Sequence, residues 1–162
     1  LALHPAVARW QGNILEWAHQ RSLPPELIAV VIQIESCGDP RALSSSGASG
    51  LFQVMPFHFS VGESPFDIET NARRGLDYLE RSLQLAGGNP ALAMAGYNGG
   101  HGVIPLPPGQ WPSETQRYVS WGSGILEDLR HAGQASPTLR AWLLAGGERL
   151  CREAQAHAGP AG

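Results

Sequence analysis

Apolar residues recur at helical spacing through most of the chain. Between His4 and Arg21, Trp10, Ile14 and Trp17 fall at i, i+4 and i+7, which predicts an N-terminal helix that turns its tryptophans to the core. Ser22-Leu23-Pro24-Pro25-Glu26 interrupts that pattern. Two prolines ahead of an acidic residue suit a helix start, where missing N–H groups cost little. The run that follows, Leu27 to Ile34, is rich in β-branched residues and by propensity alone suits a buried strand. The start signal decides for a helix, and a helix apolar on most sides is a buried central one. On it Ile28, Val31 and Glu35 share a face, so Glu35 leaves the core at the last turn.

Residues 37–50 read as loop, with Asp39-Pro40 and Ser44-Ser45-Ser46-Gly47 as turn formers. Pro56 to Pro65 is irregular, and the chain's one candidate strand is a short segment near Phe57 to Val61. Asp67 to Leu85 predicts an amphipathic helix carrying Ile68, Ala72, Leu76, Leu79 and Leu83, ended by Gly87-Gly88-Asn89-Pro90. A short apolar helix from Pro90 to Gly96 is followed by a glycine-rich turn and a proline-rich loop from Pro105 to Pro112. A helix then runs from about Ser113 to Arg130, with Ser113 as its cap and Glu114 suited to the dipole. The last pattern, Pro137 to His157, carries Leu139, Trp142, Leu143 and Leu150, and residues 158–162 are expected to be disordered. The fold class is mainly α.

At 162 residues and 43% hydrophobic content, the chain suffices for one domain with a proper core and not for two. The formal net charge is -3 and the basic residues are scattered, so charge draws the protein neither to nucleic acid nor to anionic lipid. No stretch approaches a membrane span. The opening Leu1-Ala2-Leu3-His4-Pro5 has neither the charged start nor the apolar core of an export signal, and a start at Leu reads as a processed or trimmed chain. Cys37 and Cys151 permit one disulfide that would tie the C-terminal segment to the core, and buried free thiols fit equally well. Cys37 has no His near it in sequence to make it a nucleophile.

The candidate chemistry lies in three segments. Glu35, at the end of an apolar helix, should have a raised pKa because desolvation penalises the charged form, which suits a general acid. Gly47, Gly50 and Gln53 form a loop where backbone can approach a ligand and an amide can both donate and accept, as sugar hydroxyls and acetamido groups require. Tyr97 and Asn98, between Gly96 and Gly99-Gly100, place a phenol and a second amide on a turn. The six histidines show no H-E-x-x-H or paired Cys/His spacing, so no metal and no cofactor are expected. His101 reads as a surface residue, and Trp111 and Trp121 as core rather than sugar-stacking residues.

Together these motifs resemble the catalytic domain of the soluble lytic transglycosylases, within the wider goose-type lysozyme group. The matching residues are Glu35-Ser36; Ser44 with Gly47-Ala48 and Gly50-Leu51-Phe52-Gln53; Met55-Pro56; Phe66-Asp67 and Asn71 with Gly75, Tyr78 and Leu79; Tyr97-Asn98 with Gly100; and Glu114-Thr115 with Tyr118-Val119. They span roughly Leu23 to Trp121 in the family's order. Phe52 stands where Met is usual, and Gly96 where Ala is usual, which is expected to loosen the Tyr97-Asn98 turn.

The resemblance implies a lysozyme-like single domain with a buried central helix and a substrate groove. Residues 23–130 would form the catalytic domain, 1–22 an N-terminal helix packed on its core, and 131–157 a C-terminal helical extension. It implies an exported or phage-delivered enzyme, expected to be a monomer, that cleaves the β-1,4 bond between N-acetylmuramic acid and N-acetylglucosamine in peptidoglycan and leaves a 1,6-anhydro end. Glu35 would be the catalytic residue; Ser44, Gln53, Tyr97 and Asn98 would hold the sugar, Phe52 and Met55 would line the groove, Tyr118 would orient Glu35 or the sugar, and Glu114 would touch substrate or start its helix. Glycosidases ordinarily use two carboxylates; Asp39, Glu63, Asp67 and Glu69 lack supporting motifs as the second. In goose-type lysozymes carboxylates accompany the Gly-Leu-Met-Gln loop, and Ser44 and Met55 stand where they would be expected. A hydrolytic lysozyme or chitinase of the same fold and a non-catalytic wall-binding module are the competing readings.

Overall fold

The computed structural model describes residues 3–131 and 135–158. The predicted first helix is two: α1 (Pro5–Ala8) and α2 (Gln11–Arg21). The chain breaks at Arg9-Trp10, where the Trp10 indole N–H donates to the Gly38 carbonyl at 2.8 Å. Ile14 and Trp17 are core residues as expected, whereas Trp10 is only half-buried.

Helix α3 (Pro25–Ser36) is the central helix. Pro24 precedes it in extended conformation, Pro25 occupies the first turn, and Cys37 ends it in the left-handed region at φ 49°. Every residue from Leu27 to Gln33 is buried, among α2, α6 and α8. Burial on all sides overrides the β propensity of the Val30-Val31-Ile32 run.

Helix α4 (Ile68–Leu85) starts at Asp67, whose carboxylate accepts from the Thr70 N–H at 2.9 Å, and buries Ala72, Leu76 and Leu79. Helix α5 (Pro90–Gly99) is capped by Asn89, which accepts from the N–H groups of Ala91 and Leu92. It runs through Tyr97 and Asn98, which therefore sit in its last turn and not on a separate turn. Gly96 is buried and loosens nothing: a Cβ there would lie 2.6 Å from Ile104 Cδ1. Helix α6 (Ser113–His131) begins with Ser113 inside the helix, directly after Pro112. No strand forms near Phe57 to Val61; Pro56–His58 is a 3₁₀ turn, because Pro56 fixes a turn-compatible φ and withholds a ladder N–H. Among the described residues the β pairing is limited to isolated bridges, Leu43 with Ser49 and Ser49 with Val54.

The C-terminal segment forms α7 (Pro137–Trp142), a wide turn at Leu143–Gly147 with Gly146 at φ 132°, and α8 (Glu148–Ala158). Ala158, expected in a disordered tail, closes α8; residues 159–162 of that expectation lie outside the described residues. Cys37 and Cys151 are disulfide-bonded across a sequence separation of 114 residues, which settles the alternative left open by sequence. A second tie lies beside it: His157 Nδ1 meets the buried Asp39 carboxylate at 2.6 Å. No described helix is long and apolar enough to cross a membrane.

Candidate active site

The end of α3 is fastened to the loop opposite it by Ser36. Its buried hydroxyl donates to the Leu51 carbonyl at 2.8 Å and accepts from the Gly38 N–H at 3.1 Å. The residue before it, Glu35, is thereby placed in a cleft of about 670 Å³ lined also by Ser44, Gln53, Met55, Tyr97, Asn98 and Glu114. Six of the eight residues proposed from sequence to contact substrate thus surround one carboxyl group.

The loop wall is built by hydrogen bonds that sequence does not display. Ser44 and Ala48 pair through Ser44 N–H to Ala48 O at 2.9 Å, and Ser44 Oγ accepts from the Ala48 N–H at 3.0 Å. Asn71, buried on α4, donates to the Ser49 and Pro65 carbonyls at 2.7 and 2.9 Å and accepts from the Phe52 N–H at 3.0 Å. A Cβ on Gly50 would meet the Asn71 amide at 2.5 Å, and the residue sits at φ 73°, so both contact and backbone call for glycine. Gln53 also adopts a left-handed φ of 47°, and its amide donates to the Ala42 and Gly50 carbonyls at 3.2 and 3.1 Å. Its Oε1 remains the atom available to a ligand donor.

Phe52 is a correction. Its side chain is fully buried, edge-on to Trp17 at 5.7 Å and against Gly75 on α4, so it supports the cleft from behind and does not line it. Its carbonyl still serves the site, accepting the Tyr97 hydroxyl at 2.6 Å. Asn98 Oδ1 accepts from the buried Thr115 hydroxyl at 2.8 Å, which orients the amide, and Gly99 lets α5 approach Thr115 that closely.

Burial raises the Glu35 pKa to about 8, and the charge of Glu114 adds to the rise. The Tyr118 hydroxyl faces the Glu35 carboxyl and favours its ionised form, opposing part of that rise. No hydrogen bond is formed between them, and the buried Tyr118 hydroxyl has no partner. Apo catalytic contacts are often loose in this way. Burial, with Glu35 and Tyr78 adding, also holds Tyr97 as a neutral phenol well above its ordinary pKa. The cleft therefore presents a protonated acid at neutral pH.

The carboxylates weighed from sequence as partners of Glu35 are elsewhere: Asp39 binds His157, Glu63 is clamped by Arg73 and Arg74, Asp67 caps α4, and Glu69 accepts from Trp17. Glu114 is the second acidic residue on the cleft. Sequence reasoning also missed one wall, made by Phe57, His58 and Tyr78; the two aromatics after Pro56 were its signal. His101 stands behind that wall, stacked on Tyr78 at 4.2 Å and bonded to Ser82 Oγ at 2.8 Å. Trp111 packs in the core and the partly buried Trp121 packs against it. His4 lies near Cys37 and Cys151, but their sulfurs are bonded to each other.

Residues 12–106 match the transglycosylase SLT domain family. The chain is 33% identical over 112 residues to a transglycosylase of Enterobacteria phage PRD1, covering 68% of this chain and 40% of that protein. It is 33% identical over 96 residues to the soluble lytic murein transglycosylase of Escherichia coli, covering 52% of this chain and 15% of that one. The crystal structure of the 70-kDa soluble lytic transglycosylase of Escherichia coli superposes with a TM-score of 0.60 at 26% identity, over 78% of this chain and 25% of that chain. The chain thus spans less than half the length of these relatives. With more than half of its residues matched and the lysozyme-like architecture shared, the chain belongs to the transglycosylase SLT domain family.

Proposed function

We propose that this domain cleaves peptidoglycan as a lytic transglycosylase, breaking the β-1,4 bond between N-acetylmuramic acid and N-acetylglucosamine. The observation that carries the reading is the place of Glu35, at the end of α3 in a cleft lined by Ser44, Gln53, Tyr97 and Asn98, where burial raises its pKa to about 8 and favours the acid form. The name of the Escherichia coli relative, a soluble lytic murein transglycosylase, supports the substrate. In this reading Glu35 gives its proton to the glycosidic oxygen as the C1–O bond breaks. The acetamido oxygen of the same sugar closes on C1 and carries the developing positive charge. Glu35, now ionised, takes the proton of the C6 hydroxyl, whose oxygen displaces the acetamido group from C1 and closes the 1,6-anhydro ring. No water is consumed. Gln53 Oε1, the Asn98 amide, Ser44 and Tyr97 hold the reacting sugar, Met55 lines the groove, and Tyr118 tightens onto Glu35 once it is ionised.

The catalytic unit is residues 23–130, with 1–22 packed on it and 131–157 an extension of the same domain. It acts as a monomer on glycan strands, outside the cytoplasm or delivered by a phage. Glu114 on the cleft favours one second reading, a hydrolase in which that carboxylate activates water.

The acid role is tested by the pH dependence of kcat/KM on purified peptidoglycan, which reports the free enzyme. An ionised Glu35 cannot donate, so the rate should fall as pH rises through about 8. Glu114→Gln removes a negative neighbour that raises the Glu35 pKa, so this alkaline limb should move to lower pH. A limb that stays in place or moves up contradicts the role given to the pair.

A further inference from the structure

The wall that sequence reasoning missed continues past the reacting groups. From Tyr97, whose hydroxyl is fixed to Phe52 O, the ring of Tyr78 lies 5.6 Å away, His58 is 4.6 Å beyond Tyr78, and Phe57 is 4.4 Å beyond His58. Phe57 ends the series and is 77% exposed although it lines the cleft.

That exposure is imposed by a braced loop. Phe59 N–H bonds Pro56 O and His58 N–H bonds Met55 O, closing the 3₁₀ turn, while Phe59 packs on the core. The Glu63 carboxylate accepts from the Ser60 N–H and from Arg73 and Arg74, and Asn71 holds the Pro65 carbonyl. Tyr78 is backed by the stacked His101 ring, itself held by Ser82. Burial, with His101 and Arg74 adding, lowers the His58 pKa, which favours its neutral ring. An exposed side chain is ordinary by itself, but Phe57 lines the same cleft as Glu35, next to His58, on a loop fixed by these bonds, so its ring meets whatever fills the cleft. Electron-rich aromatic faces attract the polarised C–H edges of a sugar.

We infer that Phe57 and His58, reached from Glu35 through Tyr97 and Tyr78, form a further sugar-binding subsite that stacks a pyranose of the glycan strand beyond the two sugars at the cleaved bond. The assignment rests on a glycan strand occupying the cleft, as proposed above. The subsite makes affinity grow with strand length.

The test uses peptide-free glycan strands of one disaccharide and of several, with affinity measured by calorimetry on the Glu35→Gln protein with and without Phe57→Ala. The loss on Phe57→Ala should be roughly three- to tenfold for the longer strand and smaller for the disaccharide. Phe57→Trp should restore the affinity and Phe57→Leu should not, since only the former keeps an aromatic face. Because Phe57 is exposed, matching melting curves are expected and exclude misfolding. Unchanged affinity for the longer strand, an equal loss at both lengths, or full rescue by Leu overturns the subsite. Digestion of the same strands by the wild-type protein separates the two readings: length-dependent binding without any product removes the proposed activity and leaves the subsite standing.

Discussion

Glu35→Gln is expected to abolish the proposed cleavage and to make the protein harder to melt at neutral pH. The first effect removes the proton donor, a contribution of about 10²–10⁴ in rate for general acid catalysis alone. The second follows from linkage. An unfolded Glu35 titrates near 4.5 and the folded one near 8, so between those values the folded chain holds a proton that the unfolded chain has lost. Stability contributed by this group therefore falls as pH rises through that window and is flat on either side. Gln does not titrate. The melting temperatures of the two proteins should differ least near pH 4, diverge in favour of Glu35→Gln through neutrality, and stop diverging above about pH 8. A variant that keeps substantial turnover, or one that melts below the wild type at neutral pH, would show that Glu35 is not a buried acid kept for chemistry.

Replacing Cys37 and Cys151 together by Ser costs the fold about 2–5 kcal/mol, because the bridge closes a loop of 114 residues and restricts the unfolded chain accordingly. For a domain of this size that is a fall of roughly 5–15 °C in melting temperature. The bridge begins two residues after Glu35 and ends on α8, so its removal leaves His157 with Asp39 as the polar tie between that helix and the loop after α3. A reducing agent should lower the wild-type transition to that of the double variant and leave the variant itself unmoved. Equal melting temperatures for the oxidised wild type and the variant would contradict this role.

Local signals carried the elements whose causes are local. Pro24-Pro25, Asp67 and Asn89-Pro90 announce α3, α4 and α5 because caps and N-terminal prolines act within one turn. The end of α3 was legible too, and with it the place of Glu35. Where a tertiary partner decides, the chain alone misleads. The apolar periodicity runs unbroken through Arg9-Trp10, yet the Gly38 carbonyl captures the indole and splits the helix. Gly96 and Gly99 look like turn residues, but they are helical and small because Ile104 and Thr115 lie against them. Phe52 stands beside Gln53 in one motif and points the other way, into Trp17, a reversal set by the loop's bonds to Asn71. Asn71 itself looks like any polar helix residue until the loop it holds is in place. The aromatic wall joins Phe57-His58 to Tyr78 across twenty positions, and only the packing of the loop on α4 brings them together.

The central claim is that one protonated carboxylate cuts glycan strands without water. Its most direct test is digestion of purified peptidoglycan with mass analysis of the released muropeptides, beside a Glu35→Gln control. The account predicts 1,6-anhydro-muropeptides, lighter by one water than reducing-end products, and none from the control. Reducing-end products would contradict it and place Glu114 in a hydrolytic mechanism, and an absence of products from the wild-type protein would contradict it by leaving a cleft that binds glycan and does not cut it.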